Sequence, residues 1–262
     1  MKLDQHFIGD DDIVKSMISL AEIDPDDVVL EVGAGSGKIT EEIAKVAGRV
    51  LAVEKDPEVG AALSKKISCF KNVRVFVQNA LEFLDNLNAK DPGFDRIVSN
   101  TPYSISEALI QRMMHLHFKK GIFIFPKSFA YRLVAKSGDV KYSKLSFLAQ
   151  EFFDIEIGVD VPKMASYPVP KTSSAVVIIK PKEKRSLVAE LVLMDKMKLK
   201  NALREIICNG FFGGKQTKRE AKKAIDSLCL DRKLLDKRVK FLKEGELKHL
   251  DSILHNTSFR YG

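Results

Sequence analysis

No stretch of the 262-residue chain is apolar for the length that a membrane-spanning helix needs, and its opening, with Asp10-Asp11-Asp12, is not that of a signal peptide. Cysteine is scarce: Cys69, Cys208 and Cys229 are odd in number and widely spaced. They make neither a zinc pattern nor a disulfide framework, so a reducing cytoplasm is the expected location. His115 and His117, two apart on an expected helix, do not share a face, and no metal is expected. Internal repeats and low-complexity tracts are lacking too. What remains, 45% hydrophobic and 30% charged residues, is an ordinary soluble globular composition, long enough for a sizeable core in one large or two domains. The net charge of +8 suggests a polyanionic partner, and with no apolar run of spanning length no membrane is expected.

The most telling stretch is Ile97-Val98-Ser99-Asn100-Thr101-Pro102-Tyr103, an apolar strand that ends in Asn-x-Pro-Tyr. These residue types can hold an adenine by its exocyclic amino group. Asn100 Oδ1 can accept one N6 hydrogen, and the carbonyl of Pro102, whose φ the ring locks, can accept the other. Tyr103 offers a stacking face. Neutral adenine N6 is a poor nucleophile because its lone pair is delocalised into the ring. Two acceptors aimed at its hydrogens favour the pyramidal form that attacks, so the site needs no strong base. Taken alone, the same four residues also suit a strand-end turn with a buried tyrosine.

Upstream, Val28-Val29-Leu30-Glu31-Val32 reads as a buried strand, followed by Gly33-Ala34-Gly35-Ser36-Gly37 and an amphipathic helix carrying Ile39, Ile43, Ala44 and Ala47. A phosphate-binding P-loop needs four residues between its first glycine and Gly-Lys; here three separate Gly33 from Gly37-Lys38, and Ile39 stands where Ser or Thr belongs. The dinucleotide pattern fails as well, because the third glycine comes one residue early. A Glu/Asp-x-Gly-x-Gly-x-Gly loop resembles instead the first motif of S-adenosylmethionine-dependent methyltransferases. The next strand, Val50-Leu51-Ala52-Val53-Glu54, ends in a carboxylate 17 residues after Gly37, placed to accept both hydroxyls of a ribose. The third, Val73 to Val77, is followed by Gln78-Asn79-Ala80, where the Asn79 amide can meet an adenine edge.

Gly33, Glu54, Asn79 and Asn100-Thr-Pro-Tyr103 together resemble the dimethyladenosine transferases, which methylate small-subunit ribosomal RNA. Leu3-Asp4-Gln5-His6-Phe7-Ile8 is similar to the family's N-terminal box, and the resemblance implies that Gln5, His6 and Ile8 close over the cofactor. Phe129 to Lys136, Tyr142 to Ser146, the proline-rich loop Val161 to Lys171 and the strand Ser174 to Val177 also match, so that residues 3 to 180 follow the family in order. The wording Phe-Ala-x-Arg-Leu-Val-Ala-Lys looks closer to archaeal and eukaryotic members than to bacterial ones. There are departures: Asp4 replaces a usual glycine, Asn79 an aspartate, Thr101 a leucine or proline, and Pro126 a glutamine. Ser166 stands where the family has phenylalanine, leaving Tyr167 as the candidate second aromatic at the target base.

The resemblance implies the cofactor S-adenosyl-L-methionine, bound by Gln5, His6, Ile8, Gly33, Gly35, Glu54, Asn79, Asn100 and the backbone amide of Ala80. It implies a substrate of two adjacent adenosines in a terminal hairpin loop of small-subunit rRNA, each receiving two methyls. The expected partners are that rRNA and the immature small ribosomal subunit, met by a monomer.

Expected strands near 28–32, 49–54, 73–77, 94–99, 121–125, 153–161 and 174–180 give an α/β fold, the seven-stranded Rossmann-like methyltransferase variant of a doubly wound sheet, with its last two strands antiparallel. Lys180-Pro181-Lys182-Glu183-Lys184-Arg185 marks a boundary between a methyltransferase domain, 1–182, and a small basic helical RNA-binding domain, 183–262. In the second, Lys215, Lys218, Arg219, Lys222 and Lys223 are the expected phosphate contacts within a basic run from Lys196 to Lys243. Phe211 and Phe212 interrupt the helical pattern; such aromatics suit either the core or a probe of RNA, and the core is the expectation. Other readings stay open: a large-subunit rRNA methyltransferase, a DNA-adenine or protein-glutamine methyltransferase, and a non-enzymatic ribosome-assembly or nucleic-acid-binding factor that keeps the fold.

Overall fold

The structure, a computed structural model, describes residues 6–87, 93–212 and 214–256. Two compact units meet in sequence at Lys182 and Glu183.

In the first unit the elements run β1 (Phe7–Ile8), α1 (Asp11–Ala21), β2 (Val28–Val32), α2 (Lys38–Ala44), β3 (Arg49–Glu54), α3 (Pro57–Lys66), β4 (Val73–Val77), α4 (Ala80–Asp85), β5 (Arg96–Asn100), α5 (Ser106–Met113), β6 (Lys120–Pro126), α6 (Lys127–Val134), α7 (Lys144–Phe152), β7 (Phe153–Val161), β8 (Ser166–Tyr167) and β9 (Ser174–Pro181). Seven strands form one sheet in the order β4-β3-β2-β5-β6-β9-β7. The first five are parallel; β9 lies antiparallel between β6 and β7, as expected for a chain that returns without an intervening helix. The fold is the Rossmann-like methyltransferase fold. Chain order reverses on either side of β2, so the crevice beyond the carboxyl ends of β2 and β5 is where such a sheet binds ligands.

The central strands are continuous apolar runs because helices cover both faces: Val29, Leu30, Ile97, Val98, Ile122 and Phe123 are buried. Helix α1 packs Ile13, Val14 and Met17 against that sheet, and the Asp10 carboxylate caps it by accepting from the N–H groups of Asp12 and Ile13. At the amino ends of the strands, buried Asp27 accepts from Arg96 of β5 and from Lys119 Nζ at 2.7 Å. Burial opposes its ionisation, but these hydrogen bonds outweigh it and hold the carboxyl at about 2. The clamp fixes the end of the sheet opposite the crevice.

A two-stranded sheet was not anticipated. β1 pairs antiparallel with β8, Phe7 opposite Tyr167 and Ile8 opposite Ser166. His115 and His117 are exposed and lie beyond the last residue of α5.

The second unit contains α8 (Leu187–Leu193), α9 (Leu199–Cys208), α10 (Lys218–Ser227), α11 (Arg232–Asp236) and α12 (Glu244–Asn256). Leu187, Leu191, Leu203, Ile206, Ile225, Leu247 and Leu250 form its buried side. The assignment of Phe211 to the core is corrected: it is exposed, and Phe212, half-buried, meets it edge-on at 5.0 Å. α9 ends at Cys208, and both residues lie in the turn that follows it. No helix among the described residues is long and apolar enough to cross a membrane.

Candidate active site

The loop after β2 turns into α2 through three glycines with positive φ, 74° at Gly33, 54° at Gly35 and 79° at Gly37. A Cβ at Gly35 would come within 2.8 Å of the Phe7 ring, and one at Gly33 within 3.2 Å of Pro102 Cδ. Glycine is therefore required twice over, for conformation and for the close approach of β1 and of the Asn100–Tyr103 turn. The Gly33 and Ala34 N–H groups donate to Val53 O, which ties the loop to the end of β3.

Glu54 closes β3 and is buried. Its Oε2 accepts from Gly35 N–H and its Oε1 from Asp56 N–H, both at 2.9 Å. Each oxygen keeps a lone pair, enough for two vicinal hydroxyls. Within reach of its charge, buried in β2, is Glu31, quoted in the glycine motif but not singled out from sequence. Burial in the centre of the sheet, with the Glu54 charge adding to it, pushes its carboxyl up to about 8 against the hydrogen bond from Thr40 Oγ1 at 2.5 Å. An acid inside an apolar strand was the available signal.

Asn79 is the N-cap of α4: Oδ1 accepts from Leu81 N–H at 2.9 Å, and Ala80 opens the helix. The cap occupies one acceptor position and leaves the second lone pair and both Nδ2 hydrogens for a ligand. Asn100 closes β5, and its Nδ2 donates to His6 O at 2.6 Å. That carbonyl can only accept, which fixes the amide's orientation and turns Oδ1 to the other side; among the described residues no hydrogen bond engages Oδ1.

The carbonyl of Pro102, expected to accept from the target amine, is engaged within the chain. It accepts from Ile105 N–H at 3.1 Å, opening a 3₁₀ turn, and from Ser106 Oγ at 3.5 Å. The bond from Ile105 is of normal length and the Ser106 contact a long one, so the carbonyl is already engaged by the turn that follows it. The neighbouring Thr101 carbonyl accepts no hydrogen bond among the described residues, while the Thr101 hydroxyl is buried against Ser99 Oγ at 2.8 Å. Pro102 contributes its fixed φ, −54°, and its contact with Gly33. The Tyr103 hydroxyl meets Ser174 Oγ at 2.6 Å, which sets the ring against His6 at 5.4 Å between centroids.

The N-terminal segment around β1 is held from several sides. His6 Nδ1 lies 2.7 Å from Pro168 O and so donates to it; Gly9 N–H donates to Ala165 O; Lys38 Nζ donates to Gly9 O and pairs with Asp11. The glycine loop, Glu54, Asn79 with Ala80, Asn100 through Tyr103, and His6 with Ile8 all line one cleft. Phe7 and Thr101, missed by the sequence reading, line it too. Tyr167 does not: it is 70% exposed beyond Phe7, while Ser166 is buried. Gln5 lies outside the described residues, as do Leu3, Asp4 and Gly213.

In the second unit Lys218, Arg219, Lys222 and Lys223 lie exposed on α10, opposite buried Ala221 and Ile225, with Lys215 exposed before it. Thr217 and Glu220 form a capping box that starts the helix. Part of the basic run is neutralised internally: Lys198 and Lys200 pair with Asp236, and Lys237 with Glu246.

The family model "Ribosomal RNA adenine dimethylase" matches residues 1–219. A probable ribosomal RNA small subunit methyltransferase A of Pyrococcus abyssi (strain GE5 / Orsay) is 35% identical over 209 residues, covering 78% of this chain and 75% of the relative. Among solved structures, a dimethyladenosine transferase from Plasmodium falciparum superposes with a TM-score of 0.63 at 23% identity, covering 93% of this chain and 95% of that one. The 23S rRNA methyltransferase ErmE superposes equally well, 0.63 at 22% identity over 95% and 100%. At these identities the two structures speak for the fold. With its glycine loop, strand-end acid and Asn-x-Pro-Tyr turn in one cleft, the chain belongs to the ribosomal RNA adenine dimethylase family.

Proposed function

We infer that the protein is an rRNA adenine-N6 dimethyltransferase that uses S-adenosylmethionine to methylate adenosines of small-subunit rRNA during ribosome biogenesis. The observation that carries this is the oriented Asn100 amide, whose Oδ1 faces away from its anchor on His6 at the mouth of a glycine-lined cleft. The choice of small-subunit over large-subunit rRNA rests on the sequence relative, since the likeness to ErmE is one of fold.

The residues present suit the cofactor. The glycine loop and Glu54 line the same cleft, and the spare lone pairs of Glu54 match a ribose diol. Asn79 and the Ala80 amide are assigned to the adenine edge, with His6, Ile8 and Gln5 on the cover. When bound, S-adenosylmethionine supplies an electrophilic methyl group. The chain's own part is to place the target amine and localise its lone pair. Asn100 Oδ1 accepts one N6 hydrogen and the Thr101 carbonyl, in place of that of Pro102, accepts the other; Tyr103 stacks on the base, and the proton leaves to solvent. Two adjacent adenosines of a terminal hairpin loop are the proposed targets, because splayed loop bases are the ones a pocket can take. Tyr167, Lys215 and the α10 cations are assigned to RNA, and the enzyme is proposed to work as a metal-free monomer in the cytoplasm, on the immature small subunit.

Asn100→Ala tests the reading. Methylation of small-subunit particles is expected to fall about 100-fold or more, as for a lost oxyanion-type contact. Cofactor affinity should change by no more than about tenfold, the worth of the hydrogen bond to His6 O. Turnover near wild type would rule the assignment out.

A further inference from the structure

The basic run of the second unit divides into charges that are consumed internally and charges that are not. Lys198 and Lys200 share Asp236, Lys237 is held by both oxygens of Glu246, and Lys248 pairs with Glu244. Apart from the α10 face, three exposed cations remain together on one turn, Arg238, Lys240 and Lys243, and no ion pair engages them among the described residues. In their midst stands Phe241, 61% exposed.

The turn that carries this ring is firmly built. Val239 N–H donates to Met197 O and Lys240 N–H to Asp195 O, both at 3.0 Å, while Leu199 N–H donates to Lys237 O at 2.8 Å. Val239 is 3% and Leu242 1% exposed, so the residues on either side are anchors and the ring between them is held out. Residues 239–241 form a single 3₁₀ turn, whose three residues per turn put Phe241 on a different side from Val239. Lys240 Nζ lies 5.0 Å from the ring centroid, a cation–π contact that stiffens one side of the ring and leaves the other open.

We propose that Phe241 is a stacking platform for an unpaired base of rRNA, with Arg238, Lys240 and Lys243 neutralising the phosphates on either side of it. An aromatic face among backbone-binding cations is the arrangement that single-stranded nucleic acid recognises, because every base has a π-face and every linkage a negative charge. A duplex does not fit, since its bases are already stacked. An acidic protein surface would use the three cations but has no need of an open ring between them. The inference rests on the rRNA reading above but concerns a contact separate from the methylation cleft.

The chain contains no tryptophan, so Phe241→Trp in the full-length protein creates a single indole reporter. Its fluorescence is expected to be quenched, saturably, by a single-stranded oligoribonucleotide of mixed sequence and far less by the same sequence as a duplex. In parallel, Phe241→Leu keeps an apolar side chain of similar size without the π-face. It should bind the single strand about 5- to 150-fold more weakly, the worth of one base–aromatic stack, at an unchanged slope of log affinity against log salt. Arg238→Gln with Lys243→Gln should instead reduce that slope by about 1 to 2. Wild-type methylation of small-subunit particles, measured beside these, reports on the enzyme assignment independently. No quenching, or a Phe241→Leu variant that melts normally and binds the single strand like wild type, would overturn the proposal. So would a loss of binding confined to assembled particles, which would mark a protein contact.

Discussion

Glu31 makes the folded chain sensitive to alkali in a way that can be worked through. The carboxyl sits in β2, fully surrounded, and burial raises it from its ordinary value of 4.5 to about 8, with Glu54 adding and Thr40 subtracting. Below pH 4.5 folded and unfolded chains both hold the proton. Between 4.5 and about 8 the unfolded chain gives it up while the folded chain keeps it, so native protein binds more protons and stability falls as pH rises. That interval, at about 1.4 kcal/mol per pH unit, amounts to about 5 kcal/mol, lost by pH 8 and constant above it. Glu31→Gln is isosteric, can still accept from Thr40 Oγ1 and carries no charge at any pH. The variant should therefore match wild type near pH 4.5 and gain on it steadily towards pH 8. Urea unfolding at pH 5, 6.5 and 8, followed by a probe of the sheet, measures the difference. Two curves that stay parallel within about 0.5 kcal/mol over that range would mean that Glu31 is already ionised at pH 5 and that its hydrogen bonds outweigh its burial.

Gly35→Ala should lose cofactor binding and about 1–2 kcal/mol of stability, from the left-handed backbone, since its methyl would strike Phe7 at 2.8 Å; an affinity within twofold of wild type by calorimetric titration with S-adenosylmethionine would show that the cover does not depend on this contact. Asn79→Ala should cost about 0.5–2 kcal/mol through the lost cap of α4 and weaken cofactor binding by about 1–3 kcal/mol, whereas Asn79→Asp keeps an acceptor for both and should bind within a few-fold. If neither substitution alters affinity, Asn79 only starts the helix. Reversing Lys218, Arg219, Lys222 and Lys223 to glutamate should weaken binding to small-subunit particles and flatten its salt dependence, by about 3 in the log–log slope if each meets one phosphate; an unchanged slope would leave these residues as a solvated face.

The seven strands were legible because each is a local signal. Buried parallel strands are unbroken apolar runs bounded by polar turns, and their ends carry the polar residues that define the cleft: Gly33 after β2, Glu54 ending β3, Asn79 after β4 and Asn100 ending β5. The β1–β8 pair was not legible. Two residues make no period, and the pairing joins distant parts of the chain through Ala165, Pro168 and Gly9, which no window of sequence brings together. Phe211 was misassigned for a related reason, since a helix's apolar stripe says nothing about the turn that leaves it.

The finer chemistry of the site depends on which hydrogen-bonding positions are already spent, and sequence does not report that. Asn100 and Pro102 looked equivalent as acceptors when read as residue types. In the folded chain the Asn100 amide is anchored through its nitrogen, which frees its oxygen, while the Pro102 oxygen is taken up by the turn that follows. The same accounting separates Lys237, held by Glu246, from Arg238 beside it. Motifs located the chemistry because catalysis constrains residue identity. The partner of each lone pair is set by backbone geometry, which is why the proposed second acceptor is the Thr101 carbonyl and not that of Pro102, with no change in the motif itself.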